Sequence, residues 1–135
     1  MPFIEWSQDL SVNIDEIDDQ HRKLVDLINL LYDSMKEGKG KDELGKILND
    51  LADNTVHHFE TEEKLLQKYD YPEYASHKKE HDDLARQVSI IKAQYEKGNT
   101  TISIEMLGFL KSWLNNHILT SDKKYSTFLI VRGVV

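Results

Sequence analysis

Apolar residues recur along this chain at steps of three and four, which is the period of a helix with one buried face. The pattern predicts four helices, at about residues 19–37, 42–69, 72–97 and 103–119, joined by short loops. Short connections make neighbouring helices antiparallel, so we expect an all-α, up-down-up-down four-helix bundle. An extended N-terminal arm, residues 1–18, precedes the bundle, and the apolar tail from residue 122 is expected to pack back on it.

Polar residues and glycines mark the ends of the predicted helices. Asp18 or Asp19 is expected to cap the first helix, because a carboxylate accepts hydrogen bonds from the free N–H groups there. Gly98 is expected just after the third helix, where the backbone often turns left-handed. The inner faces then consist of His21, Leu24, Ile28, Leu31 and Met35; Leu44, Ile47, Leu48, Leu51, Thr55, His58, Glu62, Leu65 and Leu66; His77, His81, Leu84, Val88, Ile91 and Tyr95; and Ile104, Leu107, Leu110, Leu114 and His117.

Every inner face carries a metal-binding residue type where a bundle would usually bury leucine. These residues are His21, then His58 with Glu62, then His77 with His81, and finally His117. Both pairs have i, i+4 spacing, so each pair shares one helix face. In antiparallel helices, the starts of the first and third lie beside the ends of the second and fourth. The sequence therefore predicts that all six side chains lie at one end of the bundle.

Asp122 is a seventh candidate, but its spacing does not suit a regular helix. It follows His117 by five residues, which on a continuous α-helix turns it roughly 140° away. Asp122 joins the cluster only if the helix ends or bulges between these two residues. Thr120 and Ser121 are weak residues for a helix interior, so an end is allowed there.

Helical phase separates the candidates in the second helix from their neighbours. His57 lies about 100° around the helix axis from His58, so it is expected to face solvent. Glu60 and Glu63 are expected on the surface as well, although both belong to the same acidic run as Glu62.

A metal centre explains the cluster better than separate core histidines do. A lone buried histidine is usually hydrogen-bonded, and histidines at i, i+4 often arise by chance, but this many unpaired polar groups would cost roughly 1–3 kcal/mol each. Five imidazoles and two carboxylates exceed the needs of one ion, so two ions with bridging carboxylates fit. Structural zinc prefers four ligands, often thiolates, whereas a nitrogen-rich, six-coordinate set favours iron.

Composition narrows the class of protein and its location. The chain has 135 residues, expected to form a single domain over 1–135, with a net charge of −7 and no cysteine. An acidic chain repels phosphate, so nucleic acid is not an expected partner. Without cysteine there is no thiolate metal site and no thiol nucleophile. No apolar run is long enough to span a bilayer and no secretory leader is visible, so we expect a cytoplasmic protein.

Four segments resemble, in order, the signature blocks of the hemerythrins of the prokaryotic single-domain kind. They are SVNIDEIDDQHRKL, HFETEE, YPEYASHKKEH and WLNNHILTSDKKY, and the match runs from about residue 6 to 129. The resemblance implies a four-helix bundle around a non-haem di-iron centre that binds O₂ reversibly, in an oxygen carrier, storage or delivery protein. The chain departs from the family at Asn13 and Asp70, where glycine is common; both residue types tolerate a left-handed backbone.

The resemblance also implies a role for each candidate residue. One iron takes His77, His81 and His117, the other takes His21 and His58, and Glu62 and Asp122 bridge them beside an oxo or hydroxo group. The second iron keeps an open position for O₂. The implied O₂ pocket consists of Leu24, Phe59, Trp113, Leu114 and Ile118, each of which fits plain core packing equally well. Tyr125 resembles a supporting residue of the centre, and packing explains it equally.

Three other functions stay open on the sequence alone. A di-iron oxidase or peroxidase is one, but bundle enzymes of that kind use Glu-x-x-His pairs and more carboxylates. No glutamate stands three residues before any histidine here, so we expect no enzyme, apart from incidental peroxidase-type activity. The other two are a module that senses O₂, nitric oxide or redox state and a structural zinc bundle. The sequence indicates no protein client.

Overall fold

The computed structural model describes residues 3–38, 41–97 and 104–135, and in these ranges it contains helices and no strand. After a 3₁₀ turn at Gln8–Leu10, the elements are α1 (Asp15–Lys36), α2 (Lys41–Lys68), α3 (Tyr74–Glu96), α4 (Ile104–Asn116), a π-helical segment (His117–Asp122) and α5 (Lys123–Val131). α1 packs against α2 and α4, and α2 also packs against α3. The predicted all-α four-helix bundle is confirmed.

Helix α1 begins four residues before the predicted boundary, so the capping role given to Asp18 or Asp19 is wrong. Its N-cap is Ile14, which has no side chain that can cap. Asp18 lies one turn inside the helix and accepts hydrogen bonds from the Val12 N–H at 2.8 Å and from Ser11 Oγ at 2.5 Å. The carboxylate therefore fastens the arm to the first turn of α1, which lets the helix start earlier.

Two sharp turns use the left-handed backbone expected of their residue types. Asn13 has φ of 60° and Asp70 has φ of 55°, a region that asparagine and aspartate enter more readily than most residues do. Gly38 ends α1 with φ of 72° and donates its N–H to the Met35 carbonyl at 3.1 Å. Gly98, predicted to end the third helix, lies outside the described residues.

The N-terminal arm forms part of the core. Ile4, Leu10, Val12 and Ile14 are buried, and they cover the bundle with apolar surface that a free arm would expose to water. Asn29 of α1 holds the Ile4 backbone by two hydrogen bonds of 2.7 and 2.8 Å. The arm therefore closes the side of the bundle beside the first and last helices.

The last helix of the bundle is longer than predicted. Instead of ending near Leu119, the chain continues from α4 through the π-helical segment into α5. The predicted packing of the tail is seen: Tyr125, Ser126 and Leu129 are buried, and Ser126 Oγ donates a hydrogen bond of 2.6 Å to the Val12 carbonyl. None of the described helices is long and apolar enough to cross a membrane. The cytoplasmic location stays a prediction.

Candidate metal centre

The seven predicted side chains meet at one end of the bundle, and each is at most 4% exposed. They are His21 on α1, His58 and Glu62 on α2, His77 and His81 on α3, and His117 and Asp122 at the two ends of the π-helical segment. All seven lie on helices, so backbone hydrogen bonds fix the position of the Cα atom that carries each side chain. The structure thus brings together the whole set that the sequence singled out.

The π-helical segment explains how Asp122 reaches the cluster. A π-helix bonds residue i to residue i+5, so residues five apart stand on one face rather than on different sides. His117 and Asp122 begin and end this segment, and His117 Nε2 lies 3.0 Å from Asp122 Oδ1. The bulge that the sequence required between them is present.

Glu62 faces the four histidines of α1, α2 and α3 with its two oxygens divided between them. Oε1 lies 2.6 Å from His58 Nε2 and 3.3 Å from His21 Nε2. Oε2 lies 3.0 Å from both His77 Nε2 and His81 Nε2. One carboxylate therefore contacts two separate pairs of imidazoles.

Asp122 divides its oxygens in the same way. Oδ2 lies 3.1 Å from His21 Nε2, while Oδ1 lies 3.0 Å from His117 Nε2 and 3.3 Å from His77 Nε2. The donor atoms form two groups, each within 4.8 Å: a three-histidine half of His77, His81 and His117, and a two-histidine half of His21 and His58. Both carboxylates belong to both halves.

The spacing of the donor atoms suits binding of two cations better than it suits hydrogen bonds between the donor atoms themselves. His81 Nε2 and His117 Nε2 lie 3.2 Å apart, although two neutral imidazoles share at most one proton between such atoms. His58 Nε2 and both Asp122 oxygens are buried without a hydrogen-bond partner in the described part of the chain, despite the short contacts above. Ligands with metal bonds of about 2.1 Å at right angles lie about 3.0 Å apart, which is the spacing seen here.

The charges of the cluster are strongly coupled. Burial disfavours protonation of His21 and His77, but the nearby carboxylates of Asp122 and Glu62 outweigh it and raise their pKa values to about 9 and about 10. Burial disfavours ionisation of Glu62, yet His58, His21 and His77 hold its pKa well below the usual value. Protons on two imidazoles thus balance two carboxylates. A bound cation replaces such protons, so metal binding releases them.

Three residues that the sequence did not single out lie behind the histidines. Gln20 Oε1 is 2.7 Å from His58 Nδ1, and Glu63 Oε2 is 3.0 Å from His81 Nδ1. Glu80 Oε1 is 3.7 Å from His117 Nδ1. Each is the sequence neighbour of a candidate ligand, and this adjacency is the feature of the sequence that could have pointed to it. The expectation that Glu63 is a surface residue holds only in part, since its side chain is 18% exposed.

Comparison with known proteins decides the family. The profile of the family described as "Hemerythrin HHE cation binding domain" matches residues 12–129. The chain belongs to the hemerythrin family. It is 34% identical to the bacteriohemerythrin of Methylococcus capsulatus, over 96% of this chain and 98% of that protein. It is 35% identical to the bacteriohemerythrin of Pseudomonas paraeruginosa, over 93% of this chain and 80% of that protein.

The fold agrees with solved structures of the same family. The crystal structure of wild-type hemerythrin superposes with a TM-score of 0.89 at 33% identity, over 93% of this chain and 96% of that chain. The hemerythrin resemblance seen in the four sequence blocks is therefore confirmed, and so is the bundle fold that it implied.

An apolar cavity of about 20 Å³ lies beside the centre of this hemerythrin-family chain. Four of the five predicted pocket residues, Leu24, Phe59, Trp113 and Leu114, contribute to its lining. Ile118 is fully buried but belongs to the π-helical segment and not to this lining. The remaining lining residues are Ile28, Leu51, Thr55, Leu84, Val88 and Leu110. The space is sufficient for one small molecule.

Two aromatic rings connect the cavity to the histidines. Phe59 stacks on the His81 imidazole with ring centroids 3.9 Å apart, and Trp113 stacks on His117 at 4.4 Å. Because these rings cover the imidazole faces, they fix the side-chain orientation and keep water from the donor atoms on that side. Tyr125, at 5.2 Å from the His77 ring, is buried with its hydroxyl unpartnered among the described residues.

Proposed function

We propose that this chain binds O₂ reversibly at a di-iron centre and acts as an oxygen carrier, storage or delivery protein. The division of each carboxylate between two groups of histidines supports a pair of metal ions. The curated relatives named bacteriohemerythrin support iron and O₂ as the metal and the ligand. Iron, when bound, supplies the electrons that O₂ binding requires.

The two halves offer unequal numbers of ligands. The first iron would be held by His77, His81 and His117, with one oxygen of each carboxylate. The second would be held by His21 and His58, with the other two oxygens, and would have one protein ligand fewer. The second iron would therefore be the one with room for an exogenous ligand.

The surroundings favour binding of O₂ over its use as an oxidant. The cavity is lined almost wholly by apolar side chains, so it admits a neutral diatomic gas and disfavours water and anions. Its one polar lining residue, Thr55, already donates its hydroxyl to the Leu51 carbonyl at 2.7 Å. The described lining contains no carboxyl, imidazole or ammonium group that could readily give a proton to reduced O₂, which suits release of unchanged O₂, so we propose a binding protein and not an enzyme.

The test is a reversible O₂ spectrum with metal analysis on the same sample. Protein loaded with Fe²⁺ under inert gas is exposed to O₂ and then returned to inert gas, and metal is counted per chain. The expected result is about two irons per chain, with near-ultraviolet and visible charge-transfer bands that appear with O₂ and fade without it. Bands that never reverse contradict a carrier, and one zinc per chain contradicts the di-iron centre.

A further inference from the structure

The two halves of the centre differ in the groups behind their histidines, on the side away from the metal. In the three-histidine half, the carboxylate of Glu63 lies 3.0 Å from His81 Nδ1. The carboxylate of Glu80 adds negative charge at 3.7 Å from His117 Nδ1. Glu63 also lies 3.8 Å from Lys78 Nζ, which holds the carboxylate on this side of α3. Glu63 is therefore the anionic acceptor of this half, whereas His117 Nδ1, like His21 Nδ1 in the other half, has no hydrogen-bond partner among the described residues.

The two-histidine half has a neutral support instead. Gln20 accepts from His58 Nδ1 through its amide oxygen at 2.7 Å, while its amide N–H donates to Thr61 Oγ1 at 3.1 Å. Thr61 in turn donates to the His57 carbonyl at 3.1 Å, so the direction of the amide is fixed by a chain of hydrogen bonds. His21 Nδ1 is buried with no hydrogen-bond partner among the described residues.

This difference matters for metal binding because the group that accepts a hydrogen bond from Nδ1 of an imidazole changes the donor strength of its Nε2 atom. A carboxylate that accepts the Nδ1–H bond draws the proton towards itself, which makes Nε2 a stronger donor to a cation. A neutral amide fixes the ring equally well but adds no negative charge. The His81 side of the centre therefore gains affinity for a cation that the His58 side does not gain.

We propose that Glu63 and Gln20 set the difference in metal affinity between the two halves, so that the three-histidine half fills first. The inference rests on the two-metal centre of the proposed function. The ligand count already favours the three-histidine half, and the charge of Glu63 widens the gap. Loading in a fixed order avoids a lone ion in the two-histidine half.

The test compares two charge swaps that keep the hydrogen bonds. Glu63→Gln keeps an acceptor for His81 but removes the charge, and Gln20→Glu keeps an acceptor for His58 but adds one. Binding of Co²⁺ to the full metal-free chain is followed by its visible absorption, which needs no O₂ and no turnover. Glu60→Gln is the matched control, since it makes the same charge change at an exposed position of α2.

Two phases are expected for the unmodified chain, one Co²⁺ each. Glu63→Gln should weaken the first phase by about 10–100-fold, the usual effect of losing a ligand's outer support, and leave the second nearly unchanged. Gln20→Glu should tighten the second phase and narrow the gap between the two. The control should bind like the unmodified chain. Urea unfolding of each metal-free variant shows whether a change in binding reflects a loss of fold.

The outcomes separate this inference from the proposed function. Two Co²⁺ per chain with affinities that neither swap alters overturns the inference and leaves the two-metal centre intact. An equal loss in both phases from Glu63→Gln overturns it too, because a general distortion acts on both halves. Failure of the unmodified chain to bind two ions overturns the inference and the proposed centre together. If Gln20→Glu does not fold, the effect of Glu63→Gln on the first phase decides alone.

Discussion

Adjacent residues of α2 have opposite environments. His58 is 2% exposed and has its Nε2 atom 2.6 Å from Glu62, whereas His57 is exposed and its carbonyl accepts a hydrogen bond from Thr61. Glu60 is exposed while Glu62 is buried among the histidines. Residue type therefore says little here about role. A turn of about 100° per residue decides whether a side chain faces the metal centre or the solvent.

Removal of either shared carboxylate should empty the centre, and removal of a neighbouring surface carboxylate should not. In Glu62→Ala and Asp122→Ala both halves lose a carboxylate oxygen at once, so iron affinity should fall by well over about 10–100-fold, the loss typical of outer supports alone. Glu60→Ala is the control. Iron per chain after loading and desalting measures the effect. A full iron content in Asp122→Ala would show that this residue is not a ligand.

The π-helical segment is the element on which the position of Asp122 depends. Within it, Asp122 points into the cluster, while Ser121 faces outward and its hydroxyl donates to the Glu80 carboxylate, with Oγ 2.9 Å from each of its oxygens. A π-bulge adds one residue to a helix turn without ending the helix. α5 therefore continues in line and delivers Tyr125 and Leu129 to the core.

Moving the carboxylate by one residue tests this register. The double variant Ser121→Asp/Asp122→Ser should bind no more iron than Asp122→Ser alone, because a carboxylate at position 121 faces Glu80 and lies outside the cluster. Metal analysis of the two variants, loaded in parallel, gives the comparison. Recovery of iron in the double variant would mean that this segment is a regular α-helix in solution.

The link between the arm and α1 should contribute measurably to stability. Asp18 accepts two hydrogen bonds from the arm, so Asp18→Ala leaves the Val12 N–H and the Ser11 hydroxyl without their partner. We expect a loss of about 1–3 kcal/mol in the free energy of unfolding, measured by urea denaturation of the metal-free chain. Asp19→Ala, one residue on and exposed, should change it by less than about 0.5 kcal/mol. Equal losses in both variants would mean that the effect comes from negative charge near the N-terminus of α1 and not from the two hydrogen bonds of Asp18.

At the scale of the whole molecule, the features that could be predicted from the sequence are those that depend on the helical period of its apolar residues. Helix number, order and inward faces follow from steps of three and four, and so does the shared end at which His21 and His117 lie. The start of α1 was missed because Asp18 bonds the arm, a contact between elements. The continuation into α5 was missed because weak helix residues suit a bulge as well as an end. Gln20 and Glu63 were missed because only distances across helices reveal them.

Metal binding should also determine the stability of the whole bundle. Without metal, the chain buries polar atoms at one end of its core that have no hydrogen-bond partner within residues 3–38, 41–97 and 104–135, which is costly. A ligand that binds only the folded state, at about 1,000 times its Kd, adds about 4 kcal/mol. For a chain of this length, that raises Tm by roughly 10–15 °C. Calorimetry of the metal-free and Fe²⁺-loaded chain under inert gas measures the shift, and Asp122→Ala should show much less of it. Equal Tm values with and without bound iron would mean that the cluster is stable by itself and that the metal contributes nothing to the fold.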